Sequence, residues 1–100
     1  MAKVILLSPV AEQDYEAVLD YLFNKFGITV MTNFIDRFEK VCDLISQDPE
    51  IYPYLNKRKQ IRKCVVTKHN IIYFIEFEDT IRVITVFDTR QDPDKLDLHL

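Results

Sequence analysis

The stretch from residue 56 to residue 75, the basic segment, is the part of the chain whose residue types suit an anion. It contains no Asp or Glu, while all 16 acids of the chain lie elsewhere. Because the whole chain has a formal net charge of −3, this asymmetry indicates a local surface for an anionic or acidic partner. The alternative is a solvated strand edge that is kept basic against aggregation. The cations of the segment are Lys57, Arg58, Lys59, Arg62, Lys63 and Lys68.

Two further side chains could take part in chemistry. His69 stands in a predicted turn and could carry a proton near neutral pH. Arg90 follows the last predicted strand and could extend the basic segment. The alternatives are an exposed turn histidine and a polar exit turn. Three tyrosines could either stack on a partner or pack on the core, namely Tyr52, Tyr54 and Tyr73.

No compact motif for a nucleotide, a metal or a catalytic nucleophile occurs in the chain. The P-loop, GxGxxG, nucleophile elbow, HExxH and zinc-binding spacings are all missing. Cys42 and Cys64 are isolated, and we predict that both are reduced thiols packed in the core. His99 lies in the tail, where we expect no catalytic role. The sequence therefore predicts neither a metal nor another cofactor.

Hydrophobic spacing predicts the elements that hold these residues. A strand over residues 3–7 precedes a helix that Ser8 caps, with Pro9 in its first turn and Gly27 at its end. A second helix is predicted from Thr29 to Gln47, and a short connection makes the two an antiparallel hairpin. Three strands rich in Val, Ile, Tyr and Phe then form an antiparallel meander over residues 61–67, 71–78 and 81–87.

These elements predict an α+β fold, β-α-α-β-β-β, in which the helical hairpin packs on a small antiparallel sheet. Residues 1–100 suffice for a single domain, and we expect the charged tail over residues 88–100 to be flexible. The apolar run near the N-terminus is too short for a signal peptide or a membrane span, so we expect a cytoplasmic protein. Arg62 and Lys63 are adjacent on a strand and must point to opposite faces of the sheet.

Three stretches in this order carry a family resemblance. They are the helix start Ser8-Pro9-x-Ala11, the middle strand over residues 70–76, and residues 83–93, in which the last strand leads into Thr89-Arg90-Gln91-Asp92-Pro93. Through these three stretches, residues 4–96 resemble the RelE/ParE superfamily of bacterial toxins from type II toxin–antitoxin modules. The resemblance implies a toxin in a hetero-oligomer with a co-encoded antitoxin, which wraps the apolar grooves of the toxin and holds it inactive.

The superfamily has two mechanisms, and both remain open for this chain. RelE-like members cleave mRNA on the ribosome, and a nuclease of this type would have to use Arg62, Lys68, His69 and Arg90. ParE-like members inhibit DNA gyrase, and the cations of the basic segment together with Arg90 would then bind the target. A member that binds its antitoxin but is no longer toxic is a third alternative.

Departures from the RelE-like pattern favour the ParE-like alternative. The strand arginine of the nucleases aligns with Val65, and Asp88 and Thr89 stand where a Tyr or His follows the last strand. Cleavage of RNA needs groups that stabilise a charged phosphorane and move protons, and outside the tail His69 is the one near-neutral proton carrier. The low net charge also suits ribosome binding poorly.

Overall fold

Within residues 2–96, which the computed structural model describes, two helices and five strands follow one another. Their order is β1 (Val4–Leu7), α1 (Pro9–Phe26), α2 (Ile28–Gln47), β2 (Tyr54–Asn56), β3 (Ile61–Thr67), β4 (Asn70–Glu76) and β5 (Thr80–Asp88). Short 3-10 helices lie at Pro49–Ile51 and Pro93–Lys95. The predicted α+β order of strand, helical hairpin and meander is confirmed, and β2 is an additional strand that the sequence pattern did not indicate.

The five strands form one sheet in the order β1-β5-β4-β3-β2. All neighbours are antiparallel except β1 and β5, which run parallel with Val4 opposite Thr80. The predicted antiparallel meander is confirmed over β3, β4 and β5, and the parallel pairing of β1 with β5 is a departure from the predicted antiparallel sheet. The additional strand β2 accounts for the direction of β5. Because β2 to β5 are antiparallel neighbours in turn, this extra strand makes the chain reverse once more before β5, and β5 then runs parallel to β1.

Local contacts define both ends of the first helix of the hairpin, α1. At the start of α1, Ser8 Oγ accepts a hydrogen bond from the Ala11 N–H at 3.0 Å, and Pro9 needs no partner for its nitrogen. Gly27 ends α1 at a φ of +95°, which favours glycine. The same residue precedes α2, which begins at Ile28, so the predicted start at Thr29 is wrong because the connection is a single residue.

The helices cover one face of the sheet and form the main core with it. The helix α2 contributes more buried apolar side chains than α1, whose one fully buried residue within the described chain is Ala11. Of the two cysteines, Cys64 is buried and Cys42 half-buried, and both are free thiols, as predicted. The core includes Phe34, Phe38, Val41, Ile45, Val66, Ile72, Phe74, Ile81 and Val83.

The opposite face of the sheet, the open face, carries a smaller apolar cluster. Ile61, Tyr73 and Ile84 are buried there, and Leu96 from the end of the described chain packs on them. Residues 97–100, which include His99, lie outside the described residues. Neither helix of the described chain has the length and apolar content needed to cross a membrane.

Candidate functional site

The structure separates the cations that the sequence groups together. Lys57, Arg58 and Lys59 lie in the exposed turn between β2 and β3, whereas Lys68 lies in the turn between β3 and β4. These turns are at opposite ends of β3, which has seven residues and is therefore about 20 Å long. The basic segment thus forms two separate regions, one at each end of the sheet.

Arg62 is the best-anchored cation of the basic segment. Its Nη1 donates to the carbonyl oxygens of Tyr52, at 2.7 Å, and Glu50, at 3.2 Å. Its Nη2 donates to the Tyr54 hydroxyl at 2.9 Å, and the guanidinium lies 4.0 Å from the centroid of the Tyr54 ring. These contacts tie the segment before β3 to the sheet, so much of the hydrogen-bonding capacity of Arg62 serves the fold.

Lys63 points to the other face, as the strand geometry predicts. Lys63 pairs across the sheet with Tyr73 of the open face, whereas Arg62 pairs with Phe74 of the main core. Val65, at the position where the nucleases carry an arginine, also lies on the open face and is 58% exposed.

A concavity of the described chain, the groove, lies at the Lys68 end of the sheet. It has a volume of about 1110 Å³. One face of α1, from Val10 to Phe26, and the first half of α2 form one wall, and the ends of β3 and β5 form the other. Its apolar lining includes Val18, Leu22, Phe26, Val30, Phe34 and Val86, and its charged lining is Asp14, Arg37, His69, Asp88, Arg90 and Lys95.

Asp14 joins the two walls of the groove. Its Oδ2 accepts hydrogen bonds from the Thr85 hydroxyl and, at 3.0 Å, from the Val86 N–H. Beside it, Ser8 Oγ donates to the Ile84 carbonyl at 2.6 Å. Because β1 pairs with β5 only as far as Val83, these side chains satisfy the edge of β5 where the strand pairing stops.

Arg90 reaches α1 rather than the basic segment. Its Nε and Nη2 donate to both carboxylate oxygens of Asp88, at 3.0 and 2.8 Å, and its Nη1 donates to the Tyr21 hydroxyl at 3.3 Å. The hydrogen bond from Arg90 lowers the pKa of Asp88 below its usual value. A hydrogen bond from Lys25, at 3.2 Å, and the weaker one from Arg90 lower the pKa of the Tyr21 hydroxyl. Arg90 thus spans the mouth of the groove.

His69 lines the groove in a tightly held turn. Its N–H donates to Thr67 Oγ1 at 3.1 Å, and its carbonyl accepts from the Thr89 N–H at 2.9 Å. The histidine is half-buried and close enough to Asp88 to help lower the pKa of that carboxyl. The structure therefore brings His69 and Arg90 into one groove, leaves the Lys68 side chain exposed in the adjoining turn, and places Arg62 elsewhere.

Arg37 and Lys95 are groove residues that our sequence reasoning missed. Arg37 Nε donates to the Val66 carbonyl at 3.1 Å, which fixes the guanidinium at the rim of the groove. The sequence could have indicated that Arg37 lies near the core, because Arg37 falls three residues after Phe34 and therefore shares a helix face with an apolar core residue. Lys95 gave no comparable signal, since it follows the last strand in a polar stretch.

Among the residues that the structure describes, the remaining titratable groups do not form a metal or nucleophile site. Over residues 2–96, no cluster of three or more His, Cys, Asp or Glu side chains is arranged to hold a metal ion. Burial, with a contribution from Asp43, raises the pKa of the Cys42 thiol to about 12, which makes it a poor nucleophile near neutral pH.

Comparisons with known proteins agree with this architecture. Residues 5–93 match the family described as the ParE toxin of type II toxin–antitoxin systems, parDE. Toxin ParE1 of Mycobacterium tuberculosis is 26% identical over 96 residues, which cover 95% of this chain and 98% of that protein.

Solved structures show the same fold. A chain of the chromosomal ParDE toxin–antitoxin system from P. aeruginosa superposes with a TM-score of 0.74 at 10% identity, covering 87% of this chain and 96% of that one. The solution structure of HP0894 from Helicobacter pylori superposes with a TM-score of 0.58 at 20% identity, covering 91% of this chain and 98% of that one.

Proposed function

This chain belongs to the ParE toxin family of type II toxin–antitoxin systems, and on that premise we propose that it is a toxin that inhibits DNA gyrase and is neutralised by a co-encoded antitoxin. The match over residues 5–93 is the observation that carries the proposal, since it spans nearly every element of the fold. In this proposal the toxin works in the cytoplasm as a binding protein rather than as an enzyme.

The groove supports neutralisation by an antitoxin. Its apolar lining is left partly uncovered, with Phe26 56% and Val30 39% exposed. Neighbouring side chains at the tip of the hairpin are also exposed, including Phe23 and Ile28 at 50% and 58%. An apolar surface of this kind in a small domain marks a site for a protein partner.

The surroundings of Arg90 argue against RNA cleavage. Asp88 neutralises the Arg90 guanidinium through two hydrogen bonds, and the same carboxylate lies beside His69. A carboxylate at this position repels an RNA phosphate and weakens the stabilisation of a developing negative charge. Inhibition by protein binding requires no such chemistry, so this arrangement favours gyrase over mRNA as the target.

In this proposal, the cations predicted from the sequence bind the target. Lys57, Arg58 and Lys59 are exposed and form the densest positive region of the described chain, while Lys63 lies on β3 and Lys68 in the turn after it. Exposed cations of this kind accelerate the encounter with an acidic partner. Arg62 and Arg90 have internal partners, so we assign them a smaller share in target binding.

A supercoiling assay with purified gyrase tests the proposal. We expect the purified chain to inhibit supercoiling, and we expect addition of the product of the adjacent gene to restore it. In cells, induction should arrest growth with filamentation, and co-expression of the adjacent product should prevent the arrest. Inhibition that the adjacent product does not relieve would contradict the antitoxin part of the proposal alone.

The second candidate function is ribosome-dependent mRNA cleavage. It is favoured by one observation, the shared position of His69 and Arg90 in the groove. Primer extension on translated messages distinguishes the two functions, because a nuclease leaves cuts within codons at the ribosomal A site. Growth arrest with such cuts and with unchanged supercoiling would establish the nuclease. A chain that binds the adjacent product and causes no arrest is the inactive alternative.

A further inference from the structure

The charges that line the groove are unequally engaged. Both acids accept hydrogen bonds from the domain itself, Asp14 from β5 and Asp88 from Arg90. Arg37 and Lys95 have no carboxylate within salt-bridge distance among residues 2–96. With Arg90 offset by Asp88, the two cations Arg37 and Lys95 outnumber the single carboxylate Asp14, so the groove is positive on balance even though the whole chain is acidic.

Arg37 is held in an orientation that suits a carboxylate. Its Nε is occupied by the carbonyl of Val66, which lies where the pairing of β3 with β4 shifts register. This single hydrogen bond steadies the guanidinium and leaves Nη1 and Nη2 without a partner among the described residues. Two parallel N–H donors of a fixed arginine match the two oxygens of a carboxylate.

The groove beside Arg37 is apolar. Phe34 lies one turn earlier on the same side of α2, and Val18 and Leu22 of α1 line the same groove. Arg37 is exposed at the rim, so a partner carboxylate can reach its guanidinium, and an ion pair with good geometry beside this apolar wall discriminates between partners.

We propose that Arg37 is the anchor for an aspartate or glutamate on the partner segment that fills the groove. The proposal rests on the proposed function, because it takes that segment to belong to the co-encoded antitoxin. It specifies the chemistry of the segment: apolar side chains meet Val18, Leu22 and Phe34, and an acidic side chain on the same face reaches the guanidinium of Arg37.

Charge reversal at Arg37, with a matched control on the same helix, tests this proposal. Arg37→Glu and Lys40→Glu change the charge equally, and Lys40 is exposed outside the groove. The probe is the purified product of the adjacent gene, titrated by calorimetry against the full chain. We expect Arg37→Glu to weaken binding at least about tenfold and Lys40→Glu to change it less than about threefold. Urea unfolding of both variants verifies that each is folded.

A rescue experiment identifies the acidic partner residue. Each Asp and Glu of the adjacent product is changed to Arg, and one of these variants should recover affinity for Arg37→Glu while losing affinity for the unchanged chain. If the unchanged chain binds the product tightly and Arg37→Glu does too, the anchor is wrong and the antitoxin partnership stands. If the unchanged chain does not bind the product, both fail. Loss of toxicity in Arg37→Glu with unchanged affinity for the product would also overturn the proposal, since the groove would then serve the target.

Discussion

The two ends of the sheet hold their cations in opposite ways. At the loop end, the turn between β2 and β3, Lys57, Arg58 and Lys59 are exposed, and none of their side chains has a salt-bridge partner among residues 2–96. At the groove end, Arg90 is paired with Asp88 and Arg37 is held by the Val66 carbonyl. Apart from the anchored Arg62 at the loop end and the exposed Lys68 at the groove end, charge is thus free at one end and positioned at the other.

This difference assigns the ends different tasks. Unpartnered lysines on a turn change the rate of encounter with an acidic surface but impose little geometry on it. Guanidinium groups that are fixed beside an apolar groove impose geometry, and they therefore select a particular partner. We interpret the loop end as serving target encounter and the groove end as serving recognition of the antitoxin. The following changes test that division, from the largest expected effect on stability to the smallest.

Asp14→Ala should produce the largest loss, because it removes the polar link between the walls of the groove. The change leaves the buried Thr85 hydroxyl and the Val86 N–H without their acceptor. We expect a decrease of about 1–3 kcal/mol in the free energy of unfolding, measured by urea titration. Asp20→Ala, at an exposed position of the same helix, should stay within about 0.5 kcal/mol. Equal effects of the two changes would show that the groove end is not built around Asp14.

Arg62→Ala should be the exception among the cations of the basic segment. It removes hydrogen bonds to the Tyr52 and Glu50 carbonyls and the contact with the Tyr54 ring. We expect a loss of about 1–2 kcal/mol in the free energy of unfolding, whereas Arg58→Ala in the exposed turn should change it by less than about 0.5 kcal/mol. If Arg62→Ala leaves the free energy of unfolding unchanged, Arg62 is a surface charge like Arg58 and its internal contacts do not stabilise the fold.

Arg90→Ala should have a small effect that depends on pH. Arg90 lowers the pKa of Asp88 in the folded chain, so the contribution to stability is present above the unfolded value of about 4 and is lost as pH falls through the folded pKa. Because the pair is partly exposed, we expect at most about 0.5 kcal/mol at pH 7. The difference between Arg90→Ala and the unchanged chain should shrink in urea titrations as pH falls below about 4. A difference that is independent of pH would mean that the Tyr21 contact dominates.

Neutralising the loop end should leave stability almost unchanged. A triple variant with Lys57, Arg58 and Lys59 all changed to Gln should unfold within about 1 kcal/mol of the unchanged chain. We expect it to inhibit gyrase more weakly, with the largest difference at low salt, because screening removes the advantage of long-range attraction. Binding of the antitoxin should be retained. If the triple variant inhibits gyrase as strongly as the unchanged chain at low salt, the loop end has no role in target encounter and is only a solvated strand edge.

Much of the fold follows from short-range signals in the sequence. Ser8-Pro9 and Gly27 mark the limits of α1 because capping is local chemistry. The strand β2 gave no such signal, since it has three exposed residues between prolines, tyrosines and a basic turn, and its pairing with β3 depends on long-range contacts. The parallel pairing of β1 with β5 was hidden for the same reason.

The groove was only partly predictable. His69, Lys68 and Arg90 were identified from residue type, and the turns that follow β3 and β5 bring them together. The roles of Asp14 and Arg37 depend on how the hairpin lies across the sheet. The spacing from Phe34 places Arg37 on the core-facing side of α2, but it does not indicate which group Arg37 contacts. Arg62 shows the converse, because its residue type indicated binding while its main contacts are internal.

The pairing of β1 with β5 has a consequence for how the protein is made. The hydrogen bond from Ser8 to the Ile84 carbonyl joins residues that are 76 positions apart, and β5 ends at Asp88. Contacts of such long sequence separation form late, because the entropy of closing the loop must be overcome first. During synthesis, the helical hairpin leaves the ribosome long before the strand that completes the groove. A nascent or truncated chain that lacks β5 therefore lacks both hydrogen-bond donors to Asp14 and the part of the groove that β5 lines.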